Sequence, residues 1–246
     1  MNVLIQLSAM VNEEVISYFE DAVVECVVRI TKDIIKVSNK EQAENELEEI
    51  LTTDVWNKLS DESKTYLVTA KVNFETMIEM ENRDELDFSG VCLLLTKTMD
   101  EEISKRFYTR YAEYLQEQYP LPENVDKWPK DMLNKYKPEV IDKKYFTLGT
   151  VRFVIGKNKD GKVMNWKSYN RIRRYARDYL YKEGISKEER EEKLLEIVKC
   201  IEIIRIDYRN PSAHRNALDT VKAEACMDYM LGTYKKLKLI LEDMRI

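Results

Sequence analysis

The chain has 246 residues, a formal net charge of −5 and 35% charged residues, with only 6 glycines and 5 prolines. That length can bury a full core in one large domain or two small ones, and so few breakers favour long helices over many short strands. An acidic chain is not a general nucleic-acid binder, so contact with a polyanion requires a local basic patch.

Cys26, Cys92, Cys200 and Cys226 are scattered without short pairs. They predict buried free thiols in a reducing cytoplasm rather than a zinc site or a disulfide frame. A single histidine rules out a His-rich metal site, and nothing in the pattern implies a cofactor. The opening Met1 to Met10 has neither a basic start nor a cleavage site. No apolar run reaches the roughly 18 residues of a membrane span, so the expectation is a cytoplasmic protein without membrane contact.

From Val3 to about Val37, Val11, Val15, Phe19, Val23, Val27, Ile30 and Ile34 recur every three or four positions, predicting one amphipathic helix with a break near Asn12. A short acidic helix from about Lys40 to Leu51 follows, with cap signals at Thr53-Asp54 and at Ser60-Asp61-Glu62-Ser63. Residues 1–58 therefore read as an N-terminal helical layer or a partner-binding arm. A helix from Ser60 to Met80 carries Tyr66, Val68, Phe74 and Met77, and Asn82-Arg83-Asp84 breaks it.

A long helix is expected from Asp87 to Tyr119. Phe88, Val91, Leu95, Met99, Ile103, Phe107, Tyr111 and Tyr114 lie three or four apart along it, the spacing of a buried stripe. Pro120, Pro122, Pro129 and Pro138 then mark a loop or linker. Two readings compete from Phe146 to Ile155: a helix starting near Thr147, or a β-hairpin pairing Arg152–Ile155 with Val163–Trp166 across Asn158-Lys159-Asp160-Gly161.

The cations gather next. Arg152, Lys157, Lys159, Lys162, Lys167, Arg171, Arg173, Arg174 and Arg177 are interrupted by one acid, Asp160, and interleaved with Trp166, Tyr169 and Tyr175. Cations holding a phosphate backbone and aromatics stacking on bases suit single-stranded RNA, with Lys167, Arg171, Arg173, Arg174 and Arg177 as the expected contacts. A solvated helix face over core aromatics has the same pattern. Ser186-Lys187-Glu188-Glu189 opens a further helix whose buried face is Leu194, Val198, Ile201, Ile204 and Tyr208. A final helix carries Leu218, Val221, Ala225, Tyr229, Leu237, Ile240 and Met244.

Between these two helices stands Arg209-Asn210-Pro211-Ser212-Ala213-His214, with the chain's single histidine. Arg209 offers a bidentate fork to a phosphate. His214 titrates near neutrality and suits acid or base work. Asn210 fits an N-cap and Pro211 the first helical position. The expected helix start would place Asn210 and His214 on one edge and aim free N–H groups at an anion.

Arg209-Asn210-x-x-x-His214 resembles the Arg-x4–6-His motif of the HEPN superfamily, and Arg-Asn-Pro-Ser-Ala-His-Arg-Asn is similar to variants from bacterial defence proteins. The resemblance covers about residues 60 to 246. It implies an all-α multi-helix bundle with a C-terminal HEPN-like helical domain over 60–246, carrying a Pro-rich and basic insertion around 120–180. It implies a metal-independent endoribonuclease of toxin or antiphage-defence type, with Arg209, Asn210 and His214 as catalytic residues. Because such enzymes face two motifs across a dimer, it also implies a homodimer, together with an antitoxin or defence-system partner protein. The alternatives are a non-catalytic HEPN module binding RNA or a nucleotide, and a helical interaction adaptor. The first helix of HEPN domains often carries an acid and, one turn later, a base, as Glu102 and Arg106 do here; the spacing alone predicts an ordinary surface ion pair.

Overall fold

The computed structural model describes residues 21–29, 37–111, 114, 148–155, 170–213 and 217–245. The protein is all-α, a multi-helix fold. Among the described residues there is no strand, only an isolated antiparallel bridge between Tyr181 and Met244. Two compact units are present. The first comprises Met1–Thr98 with Ile206–Lys235, the second Met99–Arg205 with Lys236–Ile246.

The first unit opens with α1 (21–29), α2 (Val37–Leu51), α3 (Thr53–Asn57) and α4 (Asp61–Ile78). Residues 3–20 and 30–36 of the expected first helix lie outside the described residues. In α2 the buried residues Ala43, Leu47 and Leu51 fall four apart and form one stripe. Each fully buried leucine contributes about 1.5–3 kcal/mol relative to exposure. α2 packs on α3 and α4.

Lys71 of α4 is buried, and its ammonium reaches Glu46 of α2 at 2.6 Å and Glu75 one turn on at 2.5 Å. Burial alone would lower its pKa, but the bonds to Glu46 and Glu75 outweigh that and raise it. Ser60 caps α4 by accepting the Ser63 N–H at 3.1 Å, as its cap signal implies. The buried face of α4 is Leu67, Val68, Ala70 and Val72; Tyr66, Phe74 and Met77 are half-buried at its margin.

Helix α5 (Ser89–Ile103) starts on a side-chain cap, the Ser89 N–H bonding Asp87 at 2.9 Å. Its ladder then widens into a π-helical segment, Ser104–Thr109. The whole predicted stripe from Phe88 to Tyr114 is buried, each member at most 7% exposed. The chain passes from the first unit to the second inside α5, between Thr98 and Met99.

The second unit continues with α6 (Leu148–Ile155), α7 (Asn170–Asp178) and α8 (Lys187–Ile203). Because Arg152–Ile155 lie within α6, the hairpin reading is wrong there: an apolar run without an internal turn residue satisfied its backbone within one helix. The proline cluster lies outside the described residues. Ser186 caps α8 through the Glu189 N–H at 3.1 Å, and the whole predicted face from Leu194 to Tyr208 is buried.

Arg190 staples the turn before α8, donating to the carbonyls of Ile185 and Asp178 at 3.0 and 2.7 Å. Past α8 the helix widens again over Ile204–Arg209 and ends in a short turn, α9 (Asn210–Ala213). The expected final helix is two helices, α10 (Thr220–Met230) in the first unit and α11 (Lys236–Leu241) in the second. Leu218, Leu237, Ile240 and Met244 of its expected face are buried, but within α10 the face differs. Ala223, Cys226 and Met230 are buried, whereas Val221 is 70% exposed and Ala225 is exposed. The cap sets that phase: Asp219 accepts the Lys222 N–H at 2.9 Å and fixes where the first turn begins.

No described helix is long and apolar enough to cross a membrane. Of the four thiols, Cys92, Cys200 and Cys226 are buried as expected, but Cys26 is exposed. Cys92 and Cys226 are neighbours in the first unit. Burial, then a hydrogen bond with Cys92, pushes the Cys226 thiol well up.

Candidate functional site

Arg209 and Asn210 belong to the first unit, at the end of an unbroken helical run from Lys187 to Ala213. No new helix starts at Asn210, so it is not an N-cap. The positive end of this run lies back at Ser186, and the motif sits near the negative end. The expected attraction of an anion by free N–H groups is therefore absent. A phosphate at this place must be held by side chains.

Pro211 accounts for the π-helical segment in front of it. A proline inside a helix lacks its N–H and clashes with the carbonyl four residues back, here that of Asp207. Widening Ile204–Arg209 relieves that contact while keeping the helix going. One turn later the Ser212 hydroxyl donates to the Tyr208 carbonyl at 2.5 Å. Such π segments interrupt helices frequently at functional sites.

Arg209 is only 8% exposed. A guanidinium this deep must be hydrogen-bonded, and Arg209 is engaged within the protein. Asn210 is half-buried. His214 lies outside the described residues, as does the rest of 214–216.

The chain leaving the motif is anchored. The Leu218 N–H donates to Asp87 and Ser89 at 3.1 and 3.2 Å, and the Leu218 carbonyl accepts from the Phe88 N–H at 2.8 Å. Residue 218 is thus tied to the entrance of α5.

Tyr208, beside Arg209, is buried, and its phenol is pushed up to about 12 by burial and by the nearby Cys226. Its ring lies 6.2 Å from that of Tyr229, which lies 5.8 Å from that of Tyr234.

The basic segment belongs to the second unit. Lys167 lies outside the described residues; Arg171 and Arg173 lie on α7, with their side chains outside them. Arg174 is exposed. Arg177 makes two bonds to Asp178, at 2.7 and 2.9 Å, and the bond from Arg177 lowers the Asp178 pKa. Arg152 is turned inward to buried Glu202 at 3.4 Å, where Arg205 also bonds. Tyr175 is no base-stacking platform. It is 4% exposed, packs against Phe107, Tyr111 and Tyr114, and donates its hydroxyl to the Arg106 carbonyl at 3.1 Å.

Glu102 and Arg106 are not a surface pair. They are 0% and 2% exposed, bond at 2.9 Å, and Arg106 also donates to the Leu241 carbonyl at 3.2 Å. The signal for this was present: both residues stand next to members of the apolar stripe, Ile103 and Phe107. Comparison with protein-family models, curated proteins and solved structures gave no match.

Proposed function

We propose that the chain is a metal-independent endoribonuclease acting through Arg209, Asn210 and His214. The observation that carries this reading is the motif itself, Arg209-Asn210-x-x-x-His214, with a buried Arg209 that closes a π-helical segment just before Pro211. In this reading a ribose 2′-oxygen attacks the adjacent phosphorus and the P–O5′ bond breaks. The 2′-hydroxyl proton goes to one His214, and His214 of the partner subunit protonates the leaving 5′-oxygen. Two copies are required because one imidazole cannot be base and acid in the same step. Arg209 stabilises charge on the pentacoordinate phosphorus, and Asn210 orients the phosphate. The products are a 2′,3′-cyclic phosphate and a 5′-hydroxyl. A toxin or defence role in the cytoplasm, with a controlling partner protein, is the setting this activity fits.

One observation favours a second reading. Arg209 is almost wholly buried and engaged within the protein, as in a module that binds RNA or a nucleotide without cleaving it. Incubating single-stranded RNA with the protein in excess chelator separates the two. Cyclic-phosphate ends lost in His214→Ala support the nuclease; binding without cleavage supports the module.

A further inference from the structure

We infer that Tyr234 and Tyr229 form a stacking platform for the bases of single-stranded RNA. The inference deepens the preceding reading by naming the form of RNA, and it rests on that reading for the ligand class.

Three rings of the first unit stand in series. Tyr208, next to Arg209, is buried; Tyr229 is half-buried; Tyr234 is 56% exposed. Successive centroids are 6.2 and 5.8 Å apart, at 41° and 42°. The series leads from solvent to the residue preceding the motif arginine.

The outer ring is carried on a pinned turn. The Asp228 carboxylate accepts the Thr233 N–H at 2.8 Å, and the Asp228 carbonyl accepts the Tyr234 N–H at 3.3 Å. The Gly232 N–H bonds the Met227 carbonyl at 3.1 Å. Gly232 is required there, because a Cβ would meet the Asp228 Cα at 2.8 Å. Lys235 follows at φ 45°, a left-handed conformation that a lysine rarely adopts and that surrounding structure must hold. A turn this constrained, presenting an aromatic face to water, has spent its freedom before any ligand arrives.

Bases stack on such a face whatever their identity, but only when unpaired, since a duplex covers both faces of each base. Lys235, exposed beside Tyr234, supplies a cation for the backbone. Asp228 is the neighbouring acid, and its carboxylate is occupied in capping the turn.

The test is binding of a single-stranded RNA oligonucleotide, and of its duplex, to the full chain carrying His214→Ala so that nothing is cleaved. Tyr234→Ala is expected to weaken single-strand binding about tenfold, and Tyr234→Phe to stay within about twofold because the ring remains. Duplex binding should be weaker and indifferent to Tyr234. Unchanged single-strand affinity in Tyr234→Ala, or equal loss in Tyr234→Phe, overturns the platform. Tyr234 is exposed, so neither change threatens folding. The two readings fail separately. Cleavage with Tyr234-independent binding removes the platform and keeps the nuclease; Tyr234-dependent binding without cleavage by the wild type removes the nuclease and keeps the platform.

Discussion

Among the described residues two helices widen into π segments, and the difference between them separates architecture from candidate chemistry. Ser104–Thr109 contains Arg106, whose guanidinium is bonded to Glu102 and the Leu241 carbonyl and whose own carbonyl accepts from Tyr175. Ile204–Arg209 ends at the motif and is followed at once by Asn210 and Pro211. In the first case a buried ion pair and a tyrosine cluster surround the widened turn. In the second a proline accounts for the widening, and the residues after it are those that suit phosphodiester chemistry. An arginine on a π segment is therefore no functional signal by itself. The residues that follow make the difference.

The largest expected effect is at Glu102. Glu102→Ala leaves Arg106 buried without its carboxylate and is expected to cost about 3–5 kcal/mol, read as a drop in the denaturant midpoint. A loss below about 1 kcal/mol would mean water reaches the pair and that it is no anchor.

Tyr208 gives the next effect. Its folded pKa, pushed up to about 12, lies above that of an unfolded tyrosine. The stability it contributes is therefore fully present below pH ~10 and declines as pH rises through about 12. Tyr208→Phe should flatten that alkaline decline, and a phenolate absorbance titration should lose one late-titrating group. An unchanged titration would show that Tyr208 is solvated.

Pro211→Ala sharpens the contrast. Restoring an N–H lets the second π segment relax to a regular helix, so stability should hold or rise by up to about 1 kcal/mol. Arg209 would then turn, and cleavage should fall about tenfold, since small displacements of a positioned group are costly. Cleavage at the wild-type rate would show that the widened turn is incidental.

The smallest effects are the caps. Ser60→Ala in the first unit and Ser186→Ala in the second should each cost about 1 kcal/mol, and the double variant should cost their sum because the two cap bonds, to the Ser63 and Glu189 N–H groups, have no member in common.

The long helices were legible because a buried stripe recurs every three or four residues, and all eight predicted positions from Phe88 to Tyr114 are buried. Caps formed by serine were equally plain at Ser60 and Ser186. The π segments were not, because the same four-residue steps from Ile103 to Phe107 to Tyr111 serve a regular and a widened turn alike. Asn210 misled for a related reason: Asn-Pro reads as a helix start, whereas here it lies inside a continuing helix. For Glu102 and Arg106, spacing shows a pair but not its depth. The Tyr208, Tyr229 and Tyr234 series joins residues from separate elements and has no local periodicity to reveal it.

The central claim is that Arg209 and His214 act in one metal-independent transition state. The most direct measurement is the rate and end chemistry of single-stranded RNA cleavage in excess chelator, for wild type, His214→Ala, Arg209→Lys and the double variant at equal folding. Wild-type products are expected to end in 2′,3′-cyclic phosphate, with losses on the order of 100-fold or more for each single change. The double change should cost little more than either alone. Cleavage that requires added Mg²⁺, or that survives His214→Ala, would contradict it.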